Sequence, residues 1–391
     1  MNDKEVFRLV SKTQTGLEEV LAEELRILGA EKITILKRGV EYYGDKKFMY
    51  KANYWLRTAI NVLKPIAKFP ASNQQELYDG MRNIEWMKLF DIGNTISVNS
   101  VSYKSQISHT QFISQKAKDA VVDYFRDKFG QRPDVDRYDA DIQLHIYLNN
   151  DECEVSMNSS GAPLFRRGYR QEVGIAPLNE ILAAGMIQLS NWDKTSNFID
   201  PMCGSGTLAI EAALMAFNIP PAFYRSKFSF MRWSNYSAIL WKEVLNEAFD
   251  LQKDYEGEII ASDISPKSIE TCKLNVEFAK LHKDIQIKQC DISNLKPPEG
   301  GGVIIMNPPY GERIKSKDIN ELYIKIGDAL KFNFTGFDAW VISSDLEAIK
   351  LIGLRPKKRY NLQNGALECK FNGYSIYKGK KFDKQNDEDK V

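Results

Sequence analysis

The spacing of apolar and polar residues changes along this chain, and the changes mark out its elements. In the first 60 residues, "VFRLVSKT" alternates as a strand and "GLEEVLAEELRILGA" repeats apolar residues at helical spacing up to Gly29. "KITILKRGVEYYG" then returns to β character. Residues 61–155 repeat the mixture. "GNTISVNSVSYKS" and "DIQLHIYLNNDECEVSMNSS" alternate as strands, and "SHTQFISQKAKDAVVDYFRDKFG" between them predicts a helix capped by Ser108 or Thr110 and ended by Gly130.

From about residue 160 strands and helices take turns. "NFIDPMCGSGTLAIEAALMAF" and "GEIIASDISPKSIETCKLNVEFAKL" each read as strand, turn and helix. "IQIKQCDISNL" and "GVIIMNPPYG" add two strands, followed by the helical "INELYIKIGDALKFNF" and the strand "AWVISS". This rhythm predicts an α/β fold with an open, mostly parallel sheet and ligands at the carboxyl ends of its strands. The last residues, 381–391, form a tail too polar to pack.

A chain of 391 residues is too long for one ordinary core. Its net charge of +1 gives no global sign of a nucleic-acid partner. Residues 1–160 hold 22 Lys/Arg against 23 Asp/Glu, so any such site must be a local patch. Five scattered cysteines without a CxxC pair, and only three histidines, argue against a zinc site and against a disulfide framework. The charged start "MNDKEVFRLV" has no apolar core of signal-peptide length, and no run approaches the roughly 20 apolar residues of a membrane span. A reduced, cytoplasmic protein is expected.

The chemistry gathers at strand ends. In "DPMCGSGT", Asp200 ends a strand, and Gly204 and Gly206 let the backbone turn tightly beside a ligand. Alone this is a plain strand-to-helix turn. Asp263 ends the next strand, where a carboxylate accepts from two ribose hydroxyls, and Asp291 ends a third, where it accepts from an adenine amine. The third glycine of a dinucleotide motif is missing, Asp263 is far from the loop, and there is no GK[ST]. A ligand with an amine, a ribose and an adenine but no phosphate is S-adenosylmethionine. Pro201, Cys203, Thr207, Ile264 and Ile292 flank these positions and join the expected cofactor set, as does Asn307.

The strand "VIIM" runs into Asn307-Pro308-Pro309-Tyr310. An exocyclic base amine is a poor nucleophile, because its lone pair is delocalised into the ring. Two acceptors, the Asn307 side-chain oxygen and the Pro308 carbonyl, favour the pyramidal nitrogen needed for attack on a methyl donor. Pro309 holds Pro308 extended. Tyr310 offers a stacking face worth about 1–3 kcal/mol.

With these motifs in hand, the sequence resembles the THUMP-domain class I methyltransferases. It is most similar to the RlmL group that makes N2-methylguanosine in large-subunit (23S) ribosomal RNA. "SHTQF", "LFRRGYR", "APLNEILAA", "DPMCGSGTLAIEAA", "NPPYGER" and "KKRYNLQNGALECKF" carry the resemblance. It implies a ferredoxin-like domain at 1–60, a THUMP RNA-binding domain at 61–158 and a Rossmann-like methyltransferase domain at 159–380. It also implies that Asp200, Gly204, Gly206, Asp263 and Asp291 hold the cofactor and that Asn307 to Tyr310 hold the target amine. "APLNE" matches an element near the methionine end of the cofactor.

RNA, as ribosomal RNA or a ribosome assembly intermediate, is the expected partner, with no membrane and no metal. Its expected contacts are Arg166, Arg167 and Arg170, with Lys357, Lys358 and the adjoining Arg359. Lys116, Lys118, Arg126 and Lys128 interleave with Asp119, Asp123 and Asp127, so that stripe is expected to pair with itself. The aromatic insertion at 217–256, with Phe228, Phe230 and Trp233, is expected to pack as core. The other functions compatible with these residues are a tRNA guanine-N2 methyltransferase, an adenine-N6 DNA methyltransferase and a non-catalytic RNA-binding assembly factor.

Overall fold

The structure is a computed structural model that describes residues 5–170, 178–309 and 316–377. It divides into two compact units. One comprises residues 1–167 with 220–251, the other 168–219 with 252–391.

The first unit is built on one sheet that runs through both amino-terminal regions. Its strands are β1 (Phe7–Lys12), β2 (Glu31–Leu36), β3 (Gly39–Gly44), β4 (Asn61–Pro70), β5 (Ile96–Tyr103), β6 (Ile142–Asn149) and β7 (Glu152–Asn158). Among the described residues their order is β2-β3-β1-β4-β7-β6-β5. The helices are α1 (Glu18–Leu28), α2 (Lys46–Trp55), α3 (Gln74–Arg82) and α4 (Thr110–Phe129). Gly29 ends α1 in the left-handed region, as its position after the apolar run predicts. Helix α4 is capped by neither Ser108 nor Thr110. His109 does it, its Nδ1 accepting from the Phe112 amide at 3.1 Å. Leu21 and Leu25 of α1 and Phe125 of α4 share one core with Leu9, Val40, Tyr42 and Leu144 of the sheet.

The chain continues through α5 (Glu180–Leu189), β8 (Asn197–Asp200) and α6 (Thr207–Ala216). Helix α7 (Ala238–Asp250) follows, and α8 (Pro266–Phe278) and α9 (Ser316–Asn333) complete the helices. Helix α7 and the residues before it belong to the first unit, which interrupts the expected continuous catalytic domain at 159–380. The reason is aromatic packing. Phe230 stacks on Tyr50 at 4.3 Å between centroids, and Trp241 meets Tyr54 edge-on at 5.3 Å. Phe228, Phe230 and Trp233 are all buried in that core, as expected.

The second unit carries β8 with β9 (Ile259–Asp263), β10 (Ile285–Gln289), β11 (Gly302–Met306), β12 (Phe337–Ser343), β13 (Lys358–Asn364) and β14 (Leu367–Ser375). Their order is β10-β9-β8-β11-β12-β14-β13. The first five are mutually parallel, and the β13–β14 hairpin adds antiparallel to β12. Chain order reverses between β8 and β11, and that crevice is where open α/β sheets bind ligands.

Candidate active site

Strand β8 lies between β9 and β11, so Asp200 and Asn307 leave neighbouring strands at the reversal. Asp200 is 1% exposed, and its carboxylate accepts a single hydrogen bond among the described residues, from the Met202 amide at 3.3 Å. Burial pushes its pKa well above the usual carboxylate range. The Met202 bond offsets this only in part, and the charge of Asp263 adds to it. A buried acid with one weak donor is costly unless a cation arrives, so the residue fits an ammonium group.

The loop after Asp200 turns at Gly204 (φ +50°) and Gly206 (φ +83°). A Cβ at Gly206 would come within 2.7 Å of Cys272 Sγ on α8, whereas one at Gly204 would meet nothing within 4 Å. Gly206 therefore serves packing, and Gly204 leaves open space over the loop for a ligand. The Gly204 amide donates to Asp263 Oδ2 at 3.0 Å, and the Ser265 amide to Asp263 Oδ1 at 2.9 Å. Each oxygen keeps a lone pair, enough for two hydroxyls.

Asp291 is more committed. Its Oδ1 accepts from the Ser293 amide (3.0 Å) and hydroxyl (2.6 Å), and its Oδ2 accepts from Lys325 Nζ (3.0 Å). Burial disfavours its charge, but Ser293 and Lys325 outweigh that and hold the carboxyl below its usual value. Lys325 lies 34 positions away on α9, so nothing in the sequence pairs the two.

Of the flanking residues, Ile264 is 66% exposed and offers an apolar face, whereas the Ile292 side chain is buried in the core. Pro201 and Cys203 are buried within the loop. Thr207 turns its hydroxyl away to Arg170.

Asn307 follows β11 with its side-chain Oδ1 buried and, among the described residues, without a hydrogen-bond partner. Buried polar atoms are almost always paired, so an orphan at a strand mouth marks a place prepared for a donor. Pro308 is buried and Pro309 half-buried. Tyr310 lies outside the described residues, as do residues 171–177, which hold the start of "APLNE". The rest of that element caps α5, the Asn179 side chain accepting from the Ile181 amide at 2.9 Å.

The arginine cluster is not one set. Arg167 is 1% exposed, and its guanidinium donates to the Leu164 and Arg57 carbonyls at 3.0 and 2.6 Å. It is scaffold, because a side chain so enclosed has no surface to offer RNA. Arg170 donates to Glu180 (2.7 Å), Thr207 Oγ1 (2.9 Å), the Leu178 carbonyl (3.1 Å) and Ser205 Oγ (3.4 Å). It braces the glycine loop from behind, a role correcting the RNA contact expected from sequence. Arg166, Lys357, Lys358 and Arg359 remain exposed. The stripe on α4 pairs with itself only in part: Lys116 lies over the Tyr78 ring and Lys128 donates to the Tyr124 hydroxyl. Arg126 pairs with Asp123, Lys118 with Asp119, and Asp127 with Arg82.

Among the described residues, no cluster of His, Cys, Asp and Glu could hold a metal ion, and no helix is long and apolar enough to cross a membrane. Residues 167–372 match the model described as the RMKL-like methyltransferase domain. The chain belongs to that methyltransferase family. Residues 71–158 match the THUMP domain and residues 8–63 the RlmL ferredoxin-like domain.

A Synechocystis protein provisionally named an RNA methyltransferase is 35% identical, over 93% of this chain and 95% of its own length. A ribosomal RNA large subunit methyltransferase K/L of Shewanella is 38% identical over 93% of this chain. The chain spans about half the length of that relative, 52%. Among solved structures, a provisionally named methyltransferase complexed with SAH superposes with a TM-score of 0.87 at 30% identity, covering 96% of this chain and 100% of the other. A Listeria monocytogenes protein named from its sequence as an N6-adenine-specific DNA methylase gives 0.85 at 28% identity, covering 95% and 97%.

Proposed function

We propose that the protein transfers a methyl group from S-adenosylmethionine to the exocyclic N2 amine of a guanosine in large-subunit ribosomal RNA. The observation that carries this reading is the orphaned Oδ1 of Asn307, beside the strand that ends in the buried, under-bonded Asp200. S-adenosylmethionine, when bound, supplies an electrophilic sulfonium methyl. Asp200 holds its ammonium group, Asp263 its ribose hydroxyls, and Asp291 its adenine amine through the acceptor capacity that Ser293 and Lys325 leave over.

Asn307 accepts one hydrogen of the target amine and the Pro308 carbonyl the other, which turns the nitrogen lone pair toward the donor. An amide suffices as acceptor, because methylation makes the amine a strong acid that sheds its proton to water. Large-subunit RNA as substrate draws support from the THUMP match and from the Shewanella relative's name. A guanosine in transfer RNA would use the same residues. The Listeria relative's name favours a second reading, adenine N6 in DNA, since Asn-Pro-Pro-Tyr serves either amine. An RNA-binding domain ahead of the catalytic unit speaks for RNA.

The test is methyl transfer from labelled S-adenosylmethionine to ribosomal RNA, transfer RNA and DNA, with products digested to nucleosides. Label in N2-methylguanosine from ribosomal RNA, reduced about 10²–10³-fold by Asn307→Ala, is expected. Label in N6-methyladenine from DNA overturns the substrate.

A further inference from the structure

Helix α9 reaches across to the turn that carries Asp291, and its own packing does not require it to. Its buried face is apolar, with Ile319, Ile326 and Leu330 sharing a core with Ile304 and Met306 of β11. Ile292 and Leu295 anchor the turn in that same core, and the polar groups of Asp291 and Ser293 meet α9. Lys325 and Asn333, about two helical turns apart, both bond there. Lys325 Nζ donates to Asp291 Oδ2 at 3.0 Å, and Asn333 Nδ2 to the Ser293 carbonyl at 2.9 Å.

Stability does not account for the lysine. Its side chain is 48% exposed, and the pair borders a groove of about 430 Å³ that admits water. An ion pair that wet contributes little to folding. Lys325 also has nearer partners. Glu321 stands four residues before it and Asp328 three after, both at helical pairing distance. Glu321 makes no ion pair among the described residues, and Asp328 is left to Lys331 at 3.5 Å. The lysine passes both and takes an acid 34 positions away.

What the lysine changes is the number and direction of the lone pairs left on Asp291. Oδ1 accepts from the Ser293 amide at 3.0 Å and hydroxyl at 2.6 Å, which uses both of its lone pairs. Oδ2 accepts from Lys325 and keeps one. With Ser293 alone, the carboxylate could pivot about Oδ1 and offer either lone pair of Oδ2 to water. Lys325 fixes its plane at a second point. A single acceptor site remains, in one direction.

We propose that Lys325 is a positioning residue for the base of the cofactor. It sets the plane of Asp291 so that the lone pair left on Oδ2 meets the adenine amine, and the site thereby prefers adenine to a purine without that amine. The inference rests on the reading of Asp291 as the adenine acceptor and adds what aims it.

The test is calorimetric affinity of the full chain for two ligands, S-adenosylhomocysteine and the same compound with hydrogen in place of its 6-amino group. Neither ligand involves RNA, so the outcome does not depend on which nucleic acid is methylated. Wild type is expected to bind the first about tenfold more tightly, the effect of one hydrogen bond to a carboxylate. In Lys325→Met that preference should fall to about twofold, with only S-adenosylhomocysteine bound more weakly than by wild type. Lys325→Arg returns a cation and should recover a preference of about fivefold. In methyl transfer, Lys325→Met should raise the KM for S-adenosylmethionine about fivefold and leave kcat within about twofold. A denaturant midpoint near that of wild type, expected for a half-exposed side chain, shows that the fold is intact.

Equal weakening of both ligands in Lys325→Met overturns the proposal, because a merely structural tie between α9 and the turn would act on the whole site. An undiminished preference in that variant overturns it too. Asp291→Ala separates the two levels. If it keeps the amine preference, the reading of Asp291 fails and the proposal falls with it. If Asp291→Ala abolishes the preference and Lys325→Met does not, Asp291 stands as the acceptor and the positioning role fails alone.

Discussion

Two regions rich in buried polar groups teach opposite lessons. At the strand ends of the catalytic sheet, among the described residues, Asn307 Oδ1 has no partner and Asp200 has one long hydrogen bond. In the segment from 160 to 170, the polar groups are spent on the protein itself. Arg167 donates to two carbonyls, and Arg225 reaches in from the aromatic insertion to the carbonyls of Ser160, Ala162, Pro163 and Arg166. Burial is similar in the two places, but satisfaction differs: four carbonyls take up the Arg225 fork, and only its Nε stays unpaired among the described residues. An unpaired buried group stores a penalty that a ligand can relieve, whereas a saturated one has already used its bonding capacity on the fold.

Asp200→Asn probes that contrast with the largest expected effect. Cofactor affinity, read by calorimetry, should fall at least about 100-fold, because a charged partner inside a buried site is lost. The apo protein should become more stable by about 1 kcal/mol. Since burial raises the folded-state pKa of Asp200, its carboxyl binds protons in the folded protein that the unfolded chain has released. Apo stability therefore drops as pH rises from the ordinary carboxylate range through the raised value, and the full cost is present above it. The variant should flatten that part of the stability profile. A variant less stable than wild type at neutral pH would place Asp200 with the saturated groups.

Arg167→Met is the mirror experiment. It should cost about 2 kcal/mol in denaturant unfolding, because two buried carbonyls lose their donor, while the RNA affinity of the folded fraction stays unchanged. Exposed Arg166→Ala should do the reverse, with unfolding within about 0.5 kcal/mol of wild type and a salt slope lower by about 0.7. An unaltered slope for Arg166→Ala would remove the whole segment from the RNA path.

Arg170→Lys sharpens the boundary with the smallest effect. One ammonium cannot replace a fork that bonds Glu180, Thr207, Leu178 and Ser205 together. The KM for S-adenosylmethionine should rise about tenfold with the RNA salt slope constant. A change in slope instead would return Arg170 to the RNA surface.

The strand-end acids, the glycine turn and the proline pair were legible in the sequence because each is written locally. A strand ending in an acid, a glycine pair that needs positive φ and a proline pair that stops "VIIM" each depend on residues a few positions apart. The arginines were misread for the same reason. "LFRRGYR" shows three cations in a row, but nothing local says that Arg167 faces the Arg57 carbonyl or that Arg170 faces Glu180. His109 was passed over as a cap because Ser108 and Thr110 have the stronger general preference, which tertiary placement overrode.

By itself the sequence determined α1, α4, the strand–turn–helix rhythm of the parallel catalytic sheet and the strand-end acids, since periodicity and turn chemistry act over short distances, but not α2, α3, α7 or the β13–β14 hairpin. Tertiary structure alone decided which polar groups are satisfied. It also sent the insertion at 220–251 into the first unit's core and set Lys325 on Asp291. Each of these joins residues far apart along the chain, and such pairings are fixed by the packing of whole elements rather than by any local preference.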